Sequence, residues 1–357
     1  MSDETLPREG ANTLPVIDFH VHVVEPEVYS KTVNRNVVSG FGARPMNLPD
    51  KGSARWEIFS RMVDPLAQMN DMDRNGVDIN VISTSLVSQS TWWAEPQLAA
   101  ELDRRANEQI AHWVQMHPKR FVGTFTLPMQ DMDLALAEMD YAVSTLGLRV
   151  ANVSSNTQGI YLGDSKFRPF WKAVQQLHLP VLIHPHGVVD PHFQKYALWN
   201  GVGQPMEETL VMASLIYEGI FDAFPDVTVI IVHGGGYLPH YTGRLDRNAS
   251  HHPVSAQNLT RLPSEYLKCF YYDSCVYDPV VLEALARRVG AQRILLGTDY
   301  PFGEEDPVGA IRRNPAISRT DLENIISNTP SSILSSASLP NFDLPGLIRT
   351  RDEADKG

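Results

Sequence analysis

A parallel β/α barrel is the fold class that the 357-residue sequence predicts, on three observations. Eight short apolar runs recur along the chain, most of them followed by a stretch of helical periodicity. The turn after the first run carries histidines, where an open doubly wound sheet would place glycines around a phosphate. Histidines or an aspartate close several of the runs, which is where barrel enzymes carry their reactive groups.

The runs are VIDFHVH (16–22), VDINVIS (77–83), FVGTFTL (121–127), LRVANVS (148–154), PVLIH (180–184), VTVIIVH (227–233), CFYYDS (269–274) and RILLGTD (293–299). Their β-branched content and length suit strands. Between them lie AAELDRRANEQIAHWVQMHP, DLALAEMDYAVSTLG, FRPFWKAVQQLH and DPVVLEALARRVG, whose apolar residues fall three and four apart, as on helices that cover a core. Right-handed crossovers close such an alternation into a (β/α)8 barrel of the TIM type. An open doubly wound sheet is the alternative. Residues from about 27 to 75 exceed an ordinary βα loop and are expected to form an insertion or lid. From about 336 to 357 the chain reads as a polar tail. A single domain over 1–357 is expected, because barrels of this size commonly fold as one unit.

Composition narrows the class of function. The chain is 43% hydrophobic and 20% charged, ordinary for a soluble globular protein. A net charge of −12 argues against a nucleic-acid partner and offers no basic membrane patch. Cys269 and Cys275 form no CxxC pattern and read as buried free thiols of a reducing compartment. The opening MSDETLPREGANTLP lacks an apolar signal core, and no run is long enough to span a bilayer, so a cytoplasmic location is expected.

The chemistry starts in the first run. A strand has a side-chain period of two, so His20 and His22 share one face while Phe19 and Val21 are expected on the other. His184 ends the fifth run, His233 the sixth and Asp299 the eighth. Each has an ordinary explanation: a strand cap at His184 and His186, a loop at His233-Gly-Gly-Gly, a helix N-cap at Asp299 before Pro301. Their joint placement at strand ends points instead to a metal-centred catalytic site. The glycines after His233 let substrate or backbone approach closely. His112, His117, His178, His251 and His252 carry no such signal, and His192 and His240 follow strands five and six without a pattern.

DFHVH, MDRNGVDINVIS, LIHPHG, VHGGGYLPHYTGRLD, RLPSEYLKCFYYDS, LLGTDYPFGEED and NIISNTPSSIL, in this order, resemble the amidohydrolase-related metal-dependent decarboxylases. That family is typified by 2-amino-3-carboxymuconate-6-semialdehyde decarboxylase and, more distantly here, γ-resorcylate decarboxylase. The resemblance implies that His20, His22, His184 and Asp299 hold one divalent metal ion, zinc first and manganese as the alternative, with no organic cofactor. It implies that His233 stands just off the metal as an acid/base residue, and Asp299 is a second candidate to deliver the proton. Arg244 matches an arginine that reaches the substrate of a neighbouring subunit, which implies a homodimer or higher homo-oligomer. Arg55 matches one that holds the substrate carboxylate, with Arg61 as competitor, and Phe302 matches an aromatic residue beside the substrate.

The chain departs from the wider family in three places. LRVANVS lacks a metal-bridging lysine, so a two-metal carbamate site is not expected. His186 replaces a tryptophan, and GVVDPHFQKYALWNG is a different loop, which leaves the substrate open. The implied reaction is non-oxidative decarboxylation of an aromatic or muconate-semialdehyde-like carboxylic acid. The alternative is hydrolysis of a C–C, lactone or amide bond, or hydration, of a ring-cleavage-type acid at the same metal. A non-catalytic metal-binding scaffold would lack the open coordination position or His233, and neither loss is visible.

Overall fold

The computed structural model describes residues 15–33, 35, 48–188, 190–193, 195–304 and 306–337. All eight runs are strands: β1 (Ile17–Val23), β2 (Ile79–Thr84), β3 (Phe121–Phe125), β4 (Val150–Val153), β5 (Pro180–Ile183), β6 (Thr228–Ile231), β7 (Phe270–Asp273) and β8 (Ile294–Leu295). They are parallel neighbours in chain order. The seam between β8 and β1 is joined by Phe19 N–H to the Leu296 carbonyl (2.9 Å), His22 N–H to Tyr300 (2.9 Å) and Tyr300 N–H to His20 (3.3 Å). These bonds nearly close the barrel and leave no place for the open-sheet alternative. β8 is the shortest strand because the chain beyond Leu295 turns toward β1 instead of continuing along β7.

The principal helices are α1 (Pro26–Thr32), α2 (Ala54–Val63), α3 (Pro65–Asn75), α4 (Pro96–Met116), α5 (Met132–Ser144), α6 (Arg168–Leu177), α7 (Gln204–Tyr217), α8 (Gly243–His251), α9 (Pro279–Val289) and α10 (Thr329–Ser336). Local chemistry explains their limits. α9 starts where the Asp278 carboxylate accepts from Val280 N–H and Pro279 takes the first turn. It stops at Gly290, whose φ of 93° breaks the helix. Leu282, Leu285 and Val289 form its buried stripe, and each such side chain contributes roughly 1.5–3 kcal/mol on burial.

Two apolar layers result. Inside the barrel, Ile17, Phe19, Ile79, Val81, Val122, Val150, Leu182, Ile230, Val232 and Leu295 pack together, and Ile333 and Leu334 of α10 join them from one end. Outside, Val21, Val23, Ile82, Phe125 and Val153 meet the helices. Phe19 and Val21 therefore face opposite ways, contrary to strict alternation. The register explains it: Asp18 pairs with Asn80 but Val21 with Ile82, so β1 carries one extra residue. This bulge inverts the parity of the strand, so that Phe19 packs inward and the two histidines follow it on the site side.

Of the expected insertion, α1, α2 and α3 are described; residue 34 and residues 36–47 lie outside the described residues, as does the tail beyond residue 337. Val24, Tyr29, Val33, Phe59 and Met62 form a small core of their own, and Val24 N–H donates to Met62 O, so this segment rests on the end of β1. Of the two cysteines, Cys275 is buried as expected. Cys269 is only half-buried, because its Sγ faces Arg261 Nη2 at 3.1 Å near the surface.

Candidate metal centre

One ligand atom each from His20, His22, His184 and Asp299 lies within 4.8 Å of all the others. β1 delivers His20 within the bulge and His22 just after it, with ring centroids 5.1 Å apart. β5 delivers His184, whose backbone N–H extends the pairing with β4 through Val153 O (3.1 Å). The His184 ring is 5.1 Å from His20 and 4.9 Å from His22. Asp299 follows β8 with a left-handed φ of 57°, a conformation that costs a non-glycine residue energy and turns the carboxylate toward the histidines. Its Oδ1 is 2.9 Å from His22 Nε2 and 3.4 Å from His20 Nε2. The preceding Thr298 is anchored on Asp18, its hydroxyl donating to Oδ2 at 2.5 Å. Asp299 therefore serves the cluster and not a helix cap.

The donor set fits a divalent ion. His20 Nδ1 lies 2.6 Å from Asp273 Oδ2, and His184 Nδ1–H donates to Pro185 O at 2.7 Å. These bonds leave Nε2 of both rings toward the cluster. His20 Nε2 is buried with no hydrogen-bond partner, a costly state for an imidazole nitrogen unless an ion takes the lone pair. Burial, then the neighbouring imidazoles, holds His184 well below the usual histidine range, so it stays neutral. Burial also lowers His22. Burial works to raise the Asp299 carboxyl, but His20, His22 and His233 overcome it and keep that group well below its ordinary range. Three imidazoles and one carboxylate are a donor set suited to zinc or manganese.

His233 stands beside this cluster without joining it. Its ring is 5.0 Å from His20 and 5.4 Å from His184, and its Nε2 is 3.7 Å from Asp299 Oδ2. Like Asp299, it sits in left-handed backbone, φ 49°. Its Nδ1 is 2.5 Å from Oε1 of Glu208, a fully buried carboxylate on α7. The glycines that follow admit the protein's own structure: a Cβ on Gly236 would lie 2.0 Å from Pro205 O, and one on Gly234 would lie 2.4 Å from Val276.

Phe302 is 53% exposed with its ring 6.0 Å from His22, so it borders the cluster. The two arginines lie outside the four-residue cluster. Arg55 is exposed on α2 with its guanidinium at the Tyr29 hydroxyl. Arg244 is exposed on α8. Arg61, the competitor of Arg55, has Nε 3.4 Å from Asp71 Oδ2 and is thus already paired. His186 packs against Trp92 (5.5 Å, interplanar 30°) and its Nδ1 is 2.5 Å from Ser154 Oγ.

Three neighbours were not singled out by the sequence. Asp273 ends β7, and the strand-end rule that selected the histidines would also select it. Tyr277 donates its hydroxyl to Asp299 Oδ2 at 3.3 Å from the loop that follows β7. Glu208 lies inside a helix, where nothing in its local pattern distinguishes it from a surface glutamate.

The amidohydrolase family model matches residues 17–330. The chain is 34% identical over 283 residues to 2-amino-3-carboxymuconate-6-semialdehyde decarboxylase of Dictyostelium discoideum, covering 78% of each protein. It is 30% identical over 302 residues to γ-resorcylate decarboxylase of a Polaromonas species, covering 78% of this chain and 89% of that one. The crystal structure of a dihydroxybenzoic acid decarboxylase from Polaromonas, with bound manganese and the inhibitor 2-nitroresorcinol, superposes with a TM-score of 0.76. It is 26% identical and covers 92% of this chain and 99% of that chain. The chain belongs to the amidohydrolase family, in its branch of metal-dependent decarboxylases.

Proposed function

We propose that the protein catalyses metal-dependent, non-oxidative decarboxylation of an aromatic or muconate-semialdehyde-like carboxylic acid, as a cytoplasmic homodimer. The observation that carries the reading is the buried cluster of His20, His22, His184 and Asp299, with His233 beside it, in a chain 30% or more identical to two decarboxylases. No helix among the described residues is long and apolar enough to cross a membrane.

His20, His22, His184 and Asp299 would hold one divalent ion, zinc or manganese. Bound there, the ion would supply Lewis acidity toward an oxygen of the substrate. The remaining work belongs to side chains. Phe302 offers an exposed aromatic face beside His22 for the substrate's planar body. Arg55 would hold a substrate carboxylate, and Arg244 would reach the substrate of the neighbouring subunit, since a guanidinium pairs with a carboxylate through two bonds.

His233 is the proposed acid/base. Glu208 accepts its Nδ1–H, which leaves Nε2 facing the cluster to carry and give up a proton. Protonation of the carbon that bears the carboxylate comes first. The C–C bond then breaks, CO2 departs, and the electron pair returns to the conjugated system, so no free carbanion forms. Asp299, 3.7 Å away, is the second candidate donor.

Product mass tests the reading. Zinc-reconstituted protein should convert at least one member of a panel of hydroxy- and aminobenzoates and carboxymuconate semialdehydes to a product lighter by one CO2. A product heavier by water, or fragments that sum to substrate plus water, would instead establish hydration or hydrolysis at the same cage.

A further inference from the structure

Asp273 touches both halves of the site at once. Its side chain is fully buried at the end of β7. Oδ2 lies 2.6 Å from His20 Nδ1. Oδ1 accepts two backbone N–H groups, from Gly234 at 3.0 Å and from Cys275 at 3.1 Å. Gly234 directly follows His233, and both residues are in left-handed backbone. Gly297 of the β8 segment packs on the same carboxylate: a Cβ there would lie 2.5 Å from Asp273 Cβ and 2.9 Å from Oδ2. The carboxylate therefore has a fixed position and no room to rotate away.

We infer that Asp273 is a positioning residue that dictates which nitrogen of His20 is bare and, through Gly234, braces the turn that presents His233. A carboxylate only accepts, so the His20 proton must sit on Nδ1 and the Nε2 lone pair must face the cluster. The other oxygen meets two donors that have no other role in a helix or strand, and it ties the strained turn after β6 to the end of β7. One side chain thus links the cage to the acid/base. This inference rests on the reading that His20 is a metal ligand.

Asp273→Asn separates the two roles. The carboxamide has one acceptor and one donor group. Facing its oxygen toward Gly234 and Cys275 satisfies two N–H groups, whereas the reverse orientation would set an NH2 against both. The NH2 is then left to face His20 Nδ1, which must shed its proton to accept it. That moves the proton to Nε2, the atom needed for coordination. Zn2+ affinity, measured by competition with a chromophoric chelator, should fall about 10- to 100-fold in Asp273→Asn.

In metal-free wild-type protein, at a pH high enough to keep the ring neutral, nitrogen NMR should show the His20 proton on Nδ1, with the signal assigned by its loss in His20→Gln. Zn2+ binding by Asp273→Asn equal to wild type, or a His20 proton on Nε2, overturns the inference. Should Asp273→Asn not fold, the tautomer in the wild type decides alone. His20→Ala tells the two failures apart. If it too binds Zn2+ like wild type, the ligand reading has failed; if it binds weakly while Asp273→Asn does not, only the role of Asp273 has.

Discussion

Two buried polar clusters of this barrel are built on opposite principles. Beside β3, the Asn107 amide of α4 donates to Thr126 O (3.0 Å) and to Glu138 Oε1 (2.9 Å) and accepts from Thr126 N–H (2.8 Å), while Arg104 closes the group on Glu138 Oε2. Every atom of that amide has a partner inside the protein. At the ends of β1, β5 and β8, by contrast, His20 Nε2 and His22 Nδ1 are buried without one, and Asp299 and its neighbour His233 are held in strained backbone. The closed cluster gains stability from its bonds. The open one keeps capacity for a ligand and depends on the surrounding barrel to hold it in place.

Breaking the open cluster should therefore abolish function and spare the fold. The largest effect is expected for His22→Ala, which should lose most bound metal and more than about 100-fold in turnover, beyond the loss typical of a supporting residue. Elemental analysis with turnover decides, and full metal occupancy would show that the cage is misassigned. His233→Asn should keep its metal and lose about 10²- to 10⁴-fold in kcat, the usual range for a general acid/base. Unchanged turnover in that variant would remove its role in proton transfer.

Breaking the closed cluster should do the reverse. Asn107→Ala leaves the Thr126 backbone groups and part of the Glu138 carboxylate without partners, at a cost of about 2 kcal/mol. A lower denaturation midpoint with kcat unaltered is expected. A large loss of kcat at full metal occupancy would mean that the two clusters are coupled.

The smallest effect concerns Asp103, on the same helix, to which Thr91 donates its hydroxyl. Burial, reinforced by the nearby Glu138 charge and only partly offset by the Thr91 bond, pushes this carboxyl well above its usual range. With the folded value raised, its contribution to stability is fully present below the unfolded carboxylate pKa. It is lost as pH rises through the folded value. Asp103→Asn should thus be more stable than wild type at neutral pH and lose that advantage in acid. Denaturation midpoints across pH that stay parallel for the two proteins would rule this out.

Much of this architecture was legible in the chain. All eight strands lie where β-branched runs predict them, because short parallel strands buried on both faces must be apolar and their ends are marked by turn chemistry. His20, His22, His184, His233 and Asp299 could be selected because the fold class assigns strand ends to one face. Local pattern was insufficient where packing sets the outcome. The bulge in β1 reverses Phe19 and Val21 through pairing with β2, a partner some sixty residues away. Glu208 becomes the partner of His233 only because α7 lies against the end of β6, and its side chain alone is indistinguishable from a solvated one.

The sequence by itself determined which residue types exist to make a metal cage and which strands carry them, since both follow from local composition and a period of two. Only the tertiary structure decided how the cage is held. The Asp273 carboxylate reaches His20 across 253 positions of chain, and the Asp18 carboxylate reaches Thr298 across 280. Such pairs exist once the barrel closes β8 against β1. Burial then makes each unsatisfied donor or acceptor expensive enough to select a single arrangement.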